Sequence, residues 1–231
     1  MEHKRLTLFA GHYGSGKTNI AVNYALKLAS EGKKVCIGDL DIVNPYFRTK
    51  DSAKELEAAG IDLISPQFAN SNVDLPALPA EAYRLVADKS VYSIMDIGGD
   101  DRGAYALGRY VPSILEENNY RMVFVANCYR PLTRTPEDAM EVMAEIEAAC
   151  GLKFTHIINN SNLGTETTVQ TVLDSLAYID TLSQLSGLPV FATTAVEAVA
   201  KELPEPVLPL KLQEKYFDLP SQKPANRPLW G

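Results

Sequence analysis

Gly11-His12-Tyr13-Gly14-Ser15-Gly16-Lys17-Thr18 has the spacing G-x-x-x-x-G-K-T and stands directly behind the apolar run Leu6-Thr7-Leu8-Phe9-Ala10. That spacing is the phosphate-binding P-loop, and its flanks agree with it. A short run of strand formers leads in. Behind it, Ile20, Tyr24 and Leu28, with Ala21 and Ala25, recur at helical spacing. The order has a chemical reason. Glycines let backbone N–H groups turn inward around anionic phosphates, and the start of the following helix adds its partial positive charge. In this arrangement Lys17 reaches the β- and γ-phosphates, and the Thr18 hydroxyl is a ligand for Mg²⁺.

Outward from the loop, strand-like and helical segments alternate. Apolar runs at Lys34 to Asp39, Ile61 to Ile64, Val91 to Asp96, Arg121 to Ala126, Phe154 to Asn159 and Leu188 to Ala192 follow the first strand. Helical patterns lie between them, clearest at Ala53 to Ala59, Pro136 to Ala149 and Thr165 to Leu185. Such βαβ alternation predicts a three-layer α/β fold, a mainly parallel sheet of about seven strands with helices on both faces. In that architecture ligands bind at the carboxyl ends of strands. Residues 1–202 read as one nucleotide-binding domain. Residues 203–231 carry six prolines, cannot form one long helix, and read as a tail running extended and packed on the same domain with Tyr216, Phe217 and Trp230 as anchors, or as a partly disordered one.

Composition narrows the function classes. A chain of 231 residues with net charge -7 and no basic stripe does not suit a broad nucleic-acid surface. His3-Lys4-Arg5 is the one basic cluster near a terminus and reads as a solvated strand edge. No apolar run approaches the ~20 residues that span a bilayer, and a strand begins where a signal peptide would lie. Cys36, Cys128 and Cys150 are odd in number and far apart, with no C-x-x-C or C-x-C pair, which fits a reducing cytoplasm.

Three further strand ends carry polar residues. The second strand ends Asp39-Leu40-Asp41, and alternation puts both carboxylates on one side of an extended segment. One can hold the water shell of Mg²⁺ while the other orients an attacking water. Ile94-Met95-Asp96-Ile97-Gly98-Gly99 is an apolar strand ending in a carboxylate, the Walker-B arrangement, and the glycines let the backbone approach a γ-phosphate. Asp100 and Asp101 belong either to the same switch or to the start of the next helix. At Asn159-Asn160-Ser161-Asn162 an asparagine can hydrogen-bond a base edge, or the group serves as turn and cap. The guanine-reading pattern N-K-x-D is absent from it.

Together the P-loop, Asp39-Leu40-Asp41, Asp96-Ile97-Gly98-Gly99 and the Asn159 strand end resemble the MinD/ParA-type nucleotide-binding family, also labelled CobQ/CobB/MinD/ParA. The resemblance runs from about Leu6 to Ala192 and leaves the tail unmatched. It implies a cytoplasmic ATPase of the signal-recognition-particle/MinD class that uses ATP and Mg²⁺. Position by position it assigns Gly11, His12, Tyr13, Gly14, Ser15, Gly16, Lys17 and Thr18 to the phosphates. Lys17 and Asp41 fall to hydrolysis, Thr18, Asp39 and Asp96 to Mg²⁺, and Asn159 to adenine. It also implies a protein partner, which no residue names, and an ATP-dependent homodimer. The family's second lysine, which crosses that dimer, is replaced by His12. His12 is either a tolerated loop residue or a functional substitute, so the dimer stays open. The membrane helix, basic DNA-binding residues and cysteine pair of family specialisations are not matched.

The leading reading is a nucleotide switch in which ATP orders the segments Asp41 to Arg48 and Gly98 to Arg102 for a partner protein. The alternative is an ATP-dependent ligase, similar to the cobyrinic-acid and dethiobiotin synthetases, with Arg48, Arg102, Arg109 and Arg130 as candidates to grip a carboxylate substrate.

Overall fold

The computed structural model describes residues 3–41, 49–65, 80–99, 101–203 and 207–212, with backbone alone for Lys50, Asp51, Asp101 and Arg102. The segment Ile42 to Arg48, Asp100 and the tail anchors Tyr216, Phe217 and Trp230 lie outside the described residues.

Among the described residues, eight strands form one sheet: β1 (Leu6–Ala10), β2 (Val35–Leu40), β3 (Asp62–Ile64), β4 (Tyr92–Ile97), β5 (Tyr120–Ala126), β6 (His156–Asn159), β7 (Val190–Val196) and β8 (Leu208–Leu210). Their order is β3-β2-β4-β1-β5-β6-β7-β8, and every pairing is parallel. The expected seven strands are all present. The eighth comes from the proline-rich stretch, where β8 pairs along β7 at the sheet edge. Pro209 can sit there because an edge strand has one side on which no N–H is required.

The helices are α1 (Lys17–Ser30), α2 (Ala53–Ala58), α3 (Arg84–Ala87), α4 (Asp101–Gly108), α5 (Val111–Glu117), α6 (Pro136–Cys150), α7 (Val169–Asp174), α8 (Leu176–Ser186) and α9 (Glu197–Ala200). The long helix expected from Thr165 to Leu185 is two shorter ones. Thr168 caps the first, its hydroxyl accepting from the Thr171 N–H. At the break, the Ser175 hydroxyl donates to the Val172 carbonyl at 2.7 Å. This is the side-chain competition that ends helices at serine.

Strand alternation builds the two outer layers. Leu6, Leu8 and Ala10 of β1, with Met122, Phe124 and Ala126 of β5, face a core completed by Leu85, Leu107, Ile114, Ala139, Ile146, Ile179 and Leu182. Phe9, Ile37, Ile94, Val123 and Val125 face the other way onto Ile20, Ala21, Tyr24, Ala25 and Leu28 of α1 and Leu56 of α2. Near-continuous apolar strands are what a parallel sheet covered on both faces needs. Phe9 and Phe191 each meet the Tyr24 ring edge-on, at 5.7 and 5.8 Å between centroids.

The solvated edge expected at His3-Lys4-Arg5 is not what forms. Arg5 is 6 % exposed and its guanidinium pairs with Glu117 at the end of α5. It also donates to the carbonyls of Leu85, Asp88, Val91 and Val86 at 3.1–3.4 Å. One cation thereby ties the start of β1 to the end of α3 and to α5. His3 reaches Glu31 at 2.7 Å.

Candidate functional site

The P-loop connects β1, the middle of the sheet, to α1. Gly16 precedes the helix with φ 92° and ψ 20°, a left-handed turn that aligns the first N–H groups of α1 with the loop. The loop closes on itself through Ser15 N–H to the His12 carbonyl at 3.1 Å, and Lys17 Nζ donates to that same carbonyl at 3.2 Å. Lys17 is buried, Thr18 is half-buried, and Tyr13 is exposed. His12 turns its Nδ1 to the Tyr13 carbonyl at 2.9 Å.

The carboxylates arrive from the two strands on one side of β1. In the register of β2 and β4, Asp39 stands directly opposite Asp96, and both are about 1 % exposed. Asp39 Oδ1 accepts the Asp41 N–H at 3.0 Å, so Asp39 shapes the turn that presents Asp41. Asp41 is buried as well. Asp96 Oδ2 accepts from the Thr49 hydroxyl at 3.1 Å. Burial pushes the Asp96 carboxyl up to about 6, against the lowering effect of the Lys17 charge and the Thr18 hydroxyl.

The backbone after β4 lies on the P-loop itself. A Cβ on Gly99 would stand 2.7 Å from the Tyr13 nitrogen and 2.8 Å from Lys17 Nζ. On Gly98 it would meet Asp41 Oδ1 at 3.3 Å. Only glycine permits this approach. Helix α4 starts at Asp101, so of the two roles left open for Asp100 and Asp101 the backbone at Asp101 takes the helical one.

The asparagines serve differently from the expectation. Asn159 is buried behind the site. Its Nδ2 donates to Ser175 Oγ at 2.8 Å and its Oδ1 accepts the Ser161 N–H at 3.1 Å. Its amide is therefore engaged at both ends, away from the loop. The neighbour Asn160 is the one that reaches the P-loop. Its Nδ2 donates to the Ser15 carbonyl at 2.7 Å, and its Oδ1 accepts from the Thr194 hydroxyl at 2.6 Å. That bolts the P-loop to the ends of β6 and β7. No local signal in the sequence points to the contacts that Thr49 and Asn160 make, whose partners are 47 and 145 positions away.

Beside Gly16 opens a recess. Val196, Leu210 and Leu212 give it an apolar wall, and Asn19, Asn160, Asn162 and Thr167 a polar rim. An apolar slot with a few fixed polar groups suits a flat heteroaromatic ring. Among the described residues lining it there is no carboxylate. The residues present also suit Mg²⁺. Asp96 Oδ1 is buried with no hydrogen-bond partner among the described residues, while the Thr18 hydroxyl lies against the same carboxylate. No group of three or more His, Cys, Asp or Glu side chains among the described residues forms an all-protein metal cage.

No protein-family model matches the chain, and no curated protein sequence does. Solved structures do match the fold. The cell division protein FtsY of Thermotoga maritima has a TM-score of 0.53 at 18% identity, over 83% of this chain and 62% of that one. FtsY of Mycoplasma mycoides has a TM-score of 0.56 at 16% identity, over 84% and 61%. The signal recognition particle 54 kDa protein of Aeropyrum pernix, in complex with GDP, has a TM-score of 0.53 at 17% identity, over 83% and 41%. The chain therefore spans between 41% and 62% of the length of these three proteins. What it shares with them is the three-layer α/β fold with its parallel sheet. No helix among the described residues is long and apolar enough to cross a membrane.

Proposed function

We propose that this chain is a Mg²⁺-dependent ATP-binding protein and ATPase of the MinD/ParA-like class, which acts as a nucleotide switch on a partner protein. The observation that carries this reading is the packing of Gly99 on the P-loop at Tyr13 and Lys17, with the preceding Gly98 against Asp41. A segment packed that closely must respond when phosphates enter the loop, which is how an order change at the nucleotide is passed to a surface.

In this reading the loop from Gly11 to Thr18 holds the phosphates, with Lys17 on the β- and γ-phosphates. Thr18, Asp39 and Asp96 would hold Mg²⁺, which when bound would supply neutralisation of phosphate charge. Asp41 positions the attacking water, and the base enters the recess beside Gly16. The guanine-reading pattern N-K-x-D is not met at Asn159 to Asn162, so the sequence does not support guanine selectivity. The Aeropyrum neighbour was solved with GDP, so GTP is the necessary control. A cytoplasmic location, an ATP-dependent homodimer and an unidentified protein partner belong to the same proposal. Solution mass measured with and without ATP decides the homodimer.

Asp41→Ala is expected to leave Mg·ATP affinity within about threefold of wild type and to slow hydrolysis by roughly 10²–10⁴-fold, the range for loss of a positioned base. Single-turnover phosphate release reads this, and undiminished turnover removes Asp41 from the role. Mg²⁺ must also compete with a proton at Asp96. The Mg²⁺ enhancement of nucleotide binding is expected to fall as pH drops through about 6, by up to ~10-fold per unit. In Asp96→Asn the enhancement should be weaker and flat with pH. A flat wild-type profile from pH 7.5 to 5 contradicts this assignment.

A further inference from the structure

Arg130 belongs to the loop that follows β5, the strand on the other side of β1 from the carboxylates. The loop is rigidly built. Arg130 N–H donates to the Asn127 carbonyl at 3.1 Å, and the Thr133 hydroxyl donates to that carbonyl at 2.7 Å. Thr133 N–H donates back to the Arg130 carbonyl at 3.1 Å. Asn127 is fully buried, and its Oδ1 receives the N–H groups of Tyr129 and Asn162 at 3.0 and 3.4 Å. The position of Arg130 is thus fixed from both the β5 and the β6 ends of the sheet.

The side chain this loop holds lies on the P-loop. A Cβ on Gly14 would stand 3.7 Å from Arg130 Nε and 3.9 Å from its Cζ, ordinary contact distance. Arg130 Nε is buried with no hydrogen-bond partner among the described residues. No described carboxylate comes within 4.0 Å of the guanidinium. The chain holds 29 Asp and Glu against 22 Lys and Arg, so an arginine of this chain has no shortage of acidic partners. A half-buried guanidinium held instead against a neutral glycine loop is placed for an anion that is not a side chain.

We propose that Arg130 is a phosphate ligand, a second cation of the P-loop cradle contributed by the β5 loop. Lys17 enters the cradle from α1, and Arg130 flanks Gly14 from the opposite side of the sheet's central strand. The planar guanidinium, always charged and with several donors, holds phosphate oxygens in pairs where an ammonium acts as a point charge. The inference rests on the nucleotide reading above and adds a residue that the motif does not contain.

The test measures affinity for Mg·ATP, Mg·ADP and adenosine by calorimetry in wild type, Lys17→Ala, Arg130→Met and Arg130→Lys, with thermal melting beside it. Methionine keeps the apolar stem and removes the charge. Arg130→Met is expected to lose about 10- to 100-fold in Mg·ATP affinity, with adenosine binding and melting temperature unchanged. Arg130→Lys is expected to recover part of that loss. If Arg130→Met binds Mg·ATP as wild type does while Lys17→Ala does not, the nucleotide reading stands and Arg130 has no part in it. If Arg130→Met loses adenosine by the same factor as ATP, the side chain is packing and the proposal fails. If wild type binds neither ATP nor ADP, the nucleotide reading falls and the proposal with it.

Discussion

Lys17→Ala abolishes measurable nucleotide binding, with affinity for Mg·ATP expected to fall by at least about 100-fold, or about 3 kcal/mol. Two effects add. The ammonium that would face the β- and γ-phosphates is gone. The positive charge that holds the Asp96 carboxyl down against burial is gone too, so that carboxyl rises further above about 6 and surrenders less readily to Mg²⁺. Lys17 Nζ donates to the His12 carbonyl at 3.2 Å, and α1 has six other buried residues, among them Ile20, Tyr24 and Leu28, to keep its place without it. The variant is therefore expected to melt close to wild type. Equilibrium titration with a fluorescent ATP analogue checks the first statement and circular dichroism the second. Retained affinity with an intact fold removes Lys17 from the site.

The second large effect is on stability, far from the loop. Arg5→Met leaves Glu117 without its buried cation and four carbonyls without their donor. Removing one partner of a buried ion pair costs about 3–5 kcal/mol, which for a domain of this size is roughly 10 °C in melting temperature. The pH dependence has a definite sign. Burial pushes the Glu117 carboxyl up, but the hydrogen bonds and charges of Arg5 and Lys89 outweigh it and hold the carboxyl below the ordinary 4.5. A depressed carboxylate contributes stability above its unfolded value and loses it as pH falls through the folded one. The gap between wild type and Arg5→Met is thus widest near neutrality and closes on the acid side of 4.5. Denaturant titrations at pH 7 and pH 4 read it. A difference below about 1 kcal/mol at pH 7, the scale of an exposed pair, would show that the pair contributes little.

The parts of this molecule that local rules decide were legible in the sequence. The P-loop, its strand and its helix form one continuous segment, and each carboxylate ends an apolar run, so the sequence alone puts Asp39, Asp41 and Asp96 at strand ends. What depended on distant partners was not legible. Arg5 sits among charged letters and reads as solvent-facing; its burial is decided by Glu117, 112 positions on. Asn159 and Asn160 differ by one residue, and in a strand one residue is the difference between opposite faces. The Asn160 contacts with Ser15 and Thr194 settle which of the two touches the P-loop. The six prolines exclude a long helix from the tail but do not single out Leu208–Leu210 as a strand; pairing along β7, a partner distant from any local pattern, decides that.

The central claim is that phosphates sit in the loop from Gly11 to Thr18 while the base lies in the recess beside Gly16. A crystal structure of the chain with Mg²⁺ and a non-hydrolysable ATP analogue tests it most directly. The account predicts the γ-phosphate against Lys17, Mg²⁺ on the Thr18 hydroxyl with Asp96 in its water shell, and adenine against Val196 and Leu210. Nucleotide found elsewhere on the molecule, or a P-loop that stays without phosphate at saturating analogue, would contradict it.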